Sequence, residues 1–246
     1  MIILVDIGNS NIVVTQYLDG FKETYRFNTD KDKSNDEYYV LLQNVIKDAK
    51  GMIVSSVVPE LNMIFKNLAQ KYLNIEPMFV GPGVKTGVQI MIDNPKELGS
   101  DIVSDAVGAM SFHDTENAII VDMGTATTVS ILENKVIKGV SICAGLMTQR
   151  NALVGNASQL SQFEFKVPKN VIGTNSIDSL NSGLLLGHKY MIEGLVSEMK
   201  KNHKKIPKVI ITGGASKFMI GILDSNFIFD EHLLIKGLYT IYSRNV

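Results

Sequence analysis

Short apolar runs separated by turn residues open the chain. Residues 2–5 and 12–18 are rich in aliphatic and β-branched side chains, which favour strands. Asp19-Gly20 follows the second run, and this dipeptide is typical of a tight hairpin turn. Residues 21–27 would form the returning strand. The pattern predicts that the chain begins with a meander of three strands.

The apolar positions then change their spacing. Residues 36–50 carry apolar side chains at helical intervals, which predicts an amphipathic helix. A β-rich run at 52–58 ends at Pro59 and predicts a parallel strand. A helix over 61–72 and a strand over 78–80 complete the first half. Strands that alternate with helices in this way are typical of an α/β protein.

The same order of elements occurs again in the second half. Strands are predicted at 118–121, at 127–133, at 135–139 beyond a turn at Asn134, and at 208–212, with a long helical region at 175–201 that Gly183 and Gly187 break or bend. The repeated β-β-β-α-β-α order predicts an α/β fold of duplicated ribonuclease H-like halves, the layout of the actin and sugar-kinase superfamily. The predicted halves are residues 1–114 and 115–246, with a nucleotide cleft between them.

Two loops repeat one motif at the ends of two predicted strands. The first reads Asp6-Ile7-Gly8-Asn9-Ser10-Asn11, and the second reads Asp122-Met123-Gly124-Thr125-Ala126-Thr127. The carboxylate suits a hard cation, the glycine lets phosphate oxygens approach the backbone, and the amide and hydroxyl groups are neutral donors. One copy alone fits an ordinary hairpin turn equally well. The pair favours two loops that face a nucleotide.

A third glycine motif, Gly213-Gly214, follows the predicted strand at 208–212. It would leave space for a flat adenosine beside the start of the next helix, although an ordinary strand-to-helix turn explains it as well. The chain contains neither the P-loop motif nor the dinucleotide-binding glycine motif of the Rossmann fold. A nucleotide site is therefore expected to depend on the two aspartate loops.

Composition excludes several classes of function. The 246 residues carry a net charge of −1, which gives no electrostatic basis for binding nucleic acid or an anionic membrane. The apolar run at the N terminus stops at Asp6 and is not preceded by basic residues, so no signal peptide is expected. Cys143 is the only cysteine, and the four histidines show no ligand spacing and are expected at the surface or at helix caps. We expect a cytoplasmic protein.

Beyond these loops, nearly the whole chain resembles the type III pantothenate kinases, also called the Bvg accessory factor family. The resemblance is carried by the two aspartate loops, by residues 53–59, by Asp93 through Asp101, by Gly139 through Leu146 and by Ile211 through Gly214. It implies ATP-dependent phosphorylation of pantothenate to 4′-phosphopantothenate, the first step of coenzyme A biosynthesis. It also implies a homodimer, Mg²⁺ on the nucleotide, and a monovalent cation, K⁺ or NH₄⁺.

The resemblance assigns roles to individual residues. The first phosphate loop comprises Asp6, Ile7, Gly8, Asn9, Ser10, Asn11, Ile12 and Val13, which are expected to bind ATP. Thr125 matches another nucleotide contact, and Asp122 matches the carboxylate linked to the monovalent cation. Asp101 matches the catalytic base, and Ser176 matches a threonine that touches the acceptor. The alternative for Asp101 is a stabilising charge at a helix start, and both roles are compatible.

The acceptor motif departs from the family pattern. Gly-Ala-Asp-Arg of the family reads Gly99-Ser100-Asp101-Ile102 here, so a fixed positive charge is missing from the expected substrate site. Three interpretations remain open. The protein is a pantothenate kinase that compensates with another cation such as Lys85 or Arg150, a kinase for a related acceptor, or a non-enzymatic nucleotide-binding or regulatory relative.

Overall fold

The computed structural model describes residues 1–156, 163–201, 203, 205 and 207–246. Up to residue 114 the elements are β1 (Ile2–Ile7), β2 (Asn11–Tyr17), β3 (Phe21–Asn28), α1 (Asn35–Ile46), β4 (Gly51–Ser56), α2 (Pro59–Leu68), β5 (Met78–Phe79), β6 (Gln89–Ile90) and α3 (Ser100–Phe112). They are followed by β7 (Ala118–Met123), β8 (Ala126–Glu133), β9 (Val136–Ala144), α4 (Leu146–Asn156), α5 (Ser176–Asn181), α6 (Gly187–Lys201), β10 (Lys208–Thr212), β11 (Ile228–Phe229) and α7 (Leu233–Ser243).

The described strands form two sheets that share one topology. The first has the order β3-β2-β1-β4-β5, and the second has the order β11-β10-β7-β8-β9 with β6 added at its edge. In the first sheet β1, β2 and β3 are antiparallel neighbours, and β4 and β5 continue parallel to β1. In the second sheet β7, β8 and β9 are antiparallel neighbours, and β10 and β11 continue parallel to β7. The repeated element order in the sequence therefore corresponds to a repeated strand order in space.

Cα proximity divides the chain into two compact units. The first unit contains residues 1–89, 93–114 and 233–246, and the second contains 90–92 and 115–232. The last helix, α7, thus returns to the unit in which the chain began. Compact units of this kind do not define duplicated domains, so the halves 1–114 and 115–246 stay a prediction.

Apolar side chains cover both faces of the first sheet. On one face, α1 and α2 cover strand residues that include Ile3, Val5 and Val54. On the other, α7 packs with Leu4 and Ile53. The second unit has its own core around β7, β10 and α6. Because alternate residues of β1 are buried on opposite faces, the strand reads as a continuous apolar run.

The element boundaries follow local chemistry. Helix α1 begins with a capping box in which Ser34 Oγ accepts the Glu37 N–H at 3.3 Å and the Glu37 carboxylate accepts the Ser34 N–H at 2.9 Å. It ends at Ile46 rather than at Lys50 as predicted, because the Lys50 N–H donates to Met1 O at 2.8 Å. Two predictions about turns are confirmed: Asp19-Gly20 has positive φ angles, and Asn134 turns between β8 and β9.

Two predicted helices contain π-helical segments. The helix predicted over 61–72 is α2 followed by a π-helical turn at Ala69–Leu73, which ends where Asn74 adopts a left-handed conformation. The predicted break in the region 175–201 is confirmed, because the π-helical segment Ser182–Leu186 separates α5 from α6. Each insertion shifts the face that the following residues present, because a π turn accommodates an extra residue.

Candidate active site

The first aspartate loop is a tight connection between β1 and β2. The Gly8 N–H donates to Asn11 O at 2.9 Å, which closes the turn. Thr29 holds it from β3's end, since its Oγ1 donates to Gly8 O at 2.6 Å and its N–H donates to Ser10 O at 3.1 Å. The hairpin alternative therefore describes the backbone correctly, and this does not conflict with a ligand site, because the turn lies at the carboxyl end of the parallel strand β1.

The residues of this loop divide into exposed and buried groups. Asn9 and Ser10 are exposed, and Asp6 is partly buried. Ile7 and Ile12 are completely buried in the core of the first unit, so only their backbone is available to a ligand. The polar part of the loop that a phosphate group can reach thus consists of short amide and hydroxyl side chains and of backbone N–H groups.

The second aspartate loop joins β7 to β8 in the same way. The Gly124 N–H donates to Ala126 O at 3.0 Å. Two donors fix the Thr125 carbonyl, the Gly145 N–H at 3.1 Å and Thr148 Oγ1 at 2.6 Å. The side chain of Thr125 is exposed. The backbone of the loop is therefore fixed while the Thr125 residue is exposed, which suits a nucleotide contact.

Both aspartates occupy the same position in their sheets. Asp6 lies opposite Val13 on one neighbouring strand and Ser55 on the other, and Asp122 lies opposite Thr128 and Thr212. Residues in register on adjacent strands share one face of a sheet. Asp122 is thus flanked by two threonines, a set of oxygen atoms of the kind that alkali and alkaline-earth cations prefer.

Gly213 lies against the Asp122 carboxylate. Its φ angle is +86°, and a Cβ atom on this residue would be 2.2 Å from Asp122 Oδ1. This contact explains why position 213 requires glycine, for a reason that the sequence alone did not suggest. The prediction that a helix starts after Gly213-Gly214 is wrong. The chain forms only a 3₁₀ turn at Ser216–Met219, and Gly221, which has a left-handed conformation, follows soon after it. Four residues of 3₁₀ geometry offer no extended helix N terminus.

Asp101 lies in the first turn of α3. The N-cap residue is Gly99, and the Ile102 N–H donates to Asp101 Oδ1 at 2.8 Å. A Cβ atom on Gly99 would be 2.2 Å from the same oxygen, so the glycine makes room for the carboxylate. Burial raises the pKa of Asp101, and the backbone hydrogen bond opposes this only partly. The carboxylate is therefore more basic than an exposed aspartate, which suits a group that accepts a proton.

The position where the family has arginine is buried. Ile102 is 7% exposed. Of the two cations considered as compensation, Arg150 has its guanidinium 5.5 Å from the ring centre of Phe163 and 5.7 Å from that of Phe165. Lys85 is exposed, and Asn245 holds its backbone, accepting from the Lys85 N–H at 3.0 Å. Within the first unit, the structure gives Lys85 no contact with Asp101.

Ser176 lies at the start of α5 in the second unit. It is the exposed first residue of α5, which Asn175 caps by accepting the Asp178 N–H at 2.9 Å. It lines an open depression of about 490 Å³ together with Gly173, Thr174, Asn175, Ser179 and Leu180. Neither Asp122 nor Thr125 lines this depression. In the first unit, Ser100 at the start of α3 meets the end of β4, the strand beside Asp6.

His188 was expected at the surface or at a helix cap, and this is wrong. It is 2% exposed, and its Nε2 lies 3.0 Å from Thr127 Oγ1 while its Nδ1 lies 3.2 Å from Gln149 Nε2. Because the Gln149 amide donates, Nδ1 must accept and Nε2 carries the proton. Burial lowers the pKa of His188, which keeps the ring neutral. Gln149 also donates to Ala144 O at 2.8 Å. This series of hydrogen bonds therefore holds the end of β9, just before Gly145.

No single feature of the sequence predicts the hydrogen bonds that link Thr127, His188 and Gln149. Thr127 belongs to the second aspartate motif, which is the only signal that this neighbourhood matters. The other two residues lie on helices far along the chain, and their approach depends on how α4 and α6 pack on β8. Among the described residues, no group of three or more His, Cys, Asp or Glu side chains is arranged to hold a metal ion.

Comparison with known proteins decides the family. The family model described as type III pantothenate kinase matches residues 2–198. The type III pantothenate kinase of Halalkalibacterium halodurans is 38% identical over 255 residues, which cover 100% of each chain. The chain belongs to the type III pantothenate kinase family. Type III pantothenate kinases use ATP and a divalent metal to phosphorylate pantothenate in coenzyme A biosynthesis, and the family and reaction predicted from the sequence are confirmed.

Solved structures confirm the fold class of this pantothenate kinase family member. A protein assigned as a 2-dehydro-3-deoxygalactonokinase from Sinorhizobium meliloti aligns with a TM-score of 0.67 at 11% identity, covering 99% of this chain and 96% of its own. MreB 5 of Spiroplasma citri bound to AMPPNP aligns with a TM-score of 0.59 at 10% identity, over 99% of this chain and 96% of its own. At these identities the likeness shows the fold alone, which is that of the actin and sugar-kinase superfamily.

Proposed function

We propose that this chain phosphorylates pantothenate to 4′-phosphopantothenate with Asp101 as the catalytic base. The observation that carries the proposal is the Asp101 carboxylate, held at the start of α3 by Gly99 and the Ile102 N–H. Its raised proton affinity, a consequence of burial, supports the role. Membership in the family supplies the reaction, and the assignment of residues to steps is ours.

The chemistry requires positioning and charge neutralisation more than covalent participation. Phosphoryl transfer has a loose transition state with charge spread over the phosphoryl oxygens. Asp101 would align the acceptor hydroxyl and take its proton as the new P–O bond forms and the bond to the leaving ADP oxygen breaks. The loop from Asp6 to Val13 would contact the phosphates through Asn9, Ser10 and backbone N–H groups. The oxygen-rich character of these side chains fits a nucleotide that carries a divalent metal.

We assign Asp122 to a monovalent cation and Thr125 to the nucleotide. The carboxylate of Asp122 lies between two threonines in register and against Gly213, which has no side chain to shield it. These oxygens are hard ligands, as potassium requires. The exposed hydroxyl of Thr125 has a fixed backbone behind it, which supports a direct contact.

On the acceptor side we assign Gly99, Ser100, Asp101 and Ile102 to the motif that faces pantothenate, and Ser176 to a second contact. The buried, apolar Ile102 favours a second candidate function, a kinase for a related acceptor that lacks a negative charge at this point. An isoleucine cannot pair with a carboxylate, whereas the arginine usual in the family can. The two candidates differ in the acceptor and share the base.

We propose further that the protein is a homodimer and works in the cytoplasm, where ATP is available. Four large apolar side chains of one segment are exposed: Val167 (64%), Val171 (65%), Ile172 (81%) and Ile177 (50%). Contiguous exposed apolar surface marks interaction sites in proteins. The segment is tied to the second unit through Ser182, whose hydroxyl donates to Val171 O, so it can form a defined surface. Among the described residues no helix is long and apolar enough to cross a membrane.

The proposed function is tested with purified protein, ATP, magnesium and potassium, with pantothenate, pantetheine and common sugars as acceptors. We expect pantothenate to be phosphorylated and Asp101→Asn to lower kcat by about 10²–10⁴-fold, the usual contribution of a general base. Activity should decline on acidification as Asp101 is protonated, and this decline should begin at a higher pH than for an exposed aspartate because burial raises its pKa.

The matched control is Asp48→Asn, which removes one exposed carboxylate from the same unit and should leave kcat unchanged. Full activity of Asp101→Asn would refute its role as the base. Turnover of pantetheine without turnover of pantothenate would move the assignment to the second candidate. Nucleotide binding without phosphorylation of any acceptor would favour a non-enzymatic relative.

A further inference from the structure

Ser100 precedes the proposed base, and its hydroxyl group bonds to the end of β4. The Ser56 N–H donates to Ser100 Oγ at 2.8 Å, and Ser100 Oγ donates to Ser56 O at 3.1 Å. Ser55 Oγ lies 3.0 Å away. A serine hydroxyl has one hydrogen to donate and two lone pairs. Since its hydrogen goes to Ser56 O, Ser55 is the donor in the third contact, and the Ser100 hydroxyl is saturated.

The partner strand leads directly to the first aspartate loop. Ser55 is completely buried and lies opposite Asp6 in the parallel register of β1 and β4. The pairing continues beyond the end of β4, because the Val57 N–H donates to Ile7 O at 3.0 Å. An unbroken series of hydrogen bonds therefore runs from β1, which carries Asp6 near its end, across β4, to the first residue of α3.

We propose that Ser100 is a positioning residue that fixes the Asp101 carboxylate relative to the first aspartate loop through Ser55 and Ser56. This inference rests on the proposed role of Asp101. One peptide bond joins Ser100 to Asp101, so a constraint on the first limits displacement of the second. Within the helix, Ser104 Oγ donates to Ser100 O at 2.8 Å, a bond that does not involve β4 and forms no part of this anchor.

The anchor depends on the serine hydroxyl. The Gly-Ala-Asp-Arg pattern that residues 99–102 resemble has alanine at this position, and alanine has no hydroxyl to bond with Ser56. The same pattern has arginine where this chain has Ile102. The chain thus lacks one polar group beside its base and has gained another that holds the base's backbone. Buried polar groups that are fully paired in this way make a local structure more rigid.

The experiment compares kcat and KM for ATP and the acceptor in Ser100→Ala, Ser55→Ala and the double variant. Ser100→Ala should lower kcat by about tenfold or more, since a displacement of ~1 Å at a reacting group costs on the order of a hundredfold. KM for ATP should change less than kcat, because the phosphate loop keeps its own hydrogen bonds. The double variant should be no slower than Ser100→Ala, because both changes break the same network.

Ser104→Ala is the control. It removes a completely buried serine hydroxyl from the same helix without touching β4, so it should leave kcat unchanged even if Tm falls. Wild-type kcat in Ser100→Ala would overturn the inference, as would effects of Ser100→Ala and Ser55→Ala that multiply in the double variant. A kcat loss of equal size in Ser104→Ala would also overturn it, because general loosening of α3 would then be the cause. If Asp101→Asn is inactive while Ser100→Ala is normal, the proposed function stands and only this inference fails.

Discussion

At the scale of single residues, the contact between Asp122 and Gly213 decides how open the proposed cation site is. The glycine lets the backbone come against one carboxylate oxygen, and threonines flank Asp122 on both neighbouring strands. A cation bound there would have its ligands on strands whose hydrogen-bonded register fixes their spacing, so the rate should depend on ionic radius. The carboxylate supplies a negative charge, and the threonines offer neutral oxygens.

This argument predicts that activity depends on potassium through Asp122. Replacing potassium by sodium at constant ionic strength should reduce the rate of the wild-type enzyme. Asp122→Asn should weaken the apparent affinity for potassium by at least about tenfold, since removing even an indirect partner of a bound metal has that effect. The measurement is the initial rate as a function of potassium concentration. Asp48→Asn should keep the wild-type dependence, and equal rates in both salts for the wild type would show that no such site exists.

Single residues also mark the limit of what the sequence can tell. The two aspartates could be found because their motif occurs twice, and repetition is visible without a structure. The burial of His188 could not be found, because it follows from the packing of α6 on β8 and not from any neighbour along the chain. The burial of Ile102 likewise depends on how α3 packs in the fold and not on the residues next to it in the sequence.

At the scale of elements, α3 and α7 approach each other unusually closely. A Cβ atom on Gly108 would lie 2.3 Å from Leu233 O, and one on Gly237 would lie 1.8 Å from Ser104 O. Two glycines on facing helices thus allow the backbones into contact. The approach matters for the site because α3 carries Asp101 at its first turn.

We predict that Gly237→Ala separates these helices and destabilises the protein. The new methyl group cannot be accommodated without moving backbone, and overpacking of this kind costs about 1–3 kcal/mol of the free energy of unfolding. Chemical denaturation measures the loss. Gly194→Ala on α6 is the control, because its methyl group would meet no atom within 4 Å and should add about 0.5–1 kcal/mol of stability. An unchanged stability of Gly237→Ala would show that α7 adjusts freely.

The elements that the sequence predicted well are those with a simple period and clear turn chemistry. The hairpins at Asp19-Gly20 and Asn134 needed only local residues. Helix α7 was not predicted, although Ile235, Leu238 and Ile241 recur at three-residue intervals along its buried side. The strands β6 and β11 have two residues each and are too short for any periodic signal.

At the scale of the whole molecule, the duplicated topology could be predicted and the oligomeric state could not. The order of strands follows from the order of elements, because short connections leave few alternatives. An interface between copies is a property of surface side chains, and exposed apolar residues are common on monomers as well. The homodimer therefore remains a proposal based on the family and on the segment from Val167 to Ile177.

We predict that the protein sediments at twice the chain mass of 27.1 kDa and that Ile172→Asp converts it to the monomer. Burying an unpaired carboxylate at an interface costs about 3 kcal/mol or more, which raises the dissociation constant by over about a hundredfold. Analytical ultracentrifugation at micromolar concentration measures both. Val40→Asp, at another exposed valine (65%) on α1, should stay dimeric. A wild-type protein that is monomeric throughout would refute the proposal.

The return of α7 to the first unit has a consequence for synthesis on the ribosome. Leu4 and Ile53 are covered on one side by Ile235, Leu238 and Ile241. These covering residues are translated after every residue of the second unit. The second unit can therefore assemble while the peptide is still tethered, whereas one face of the first sheet lacks part of its cover until α7 has been made. The nascent chain would need protection of that face, and a premature stop codon near the 3′ end of the message would leave the proposed base on an incompletely packed helix.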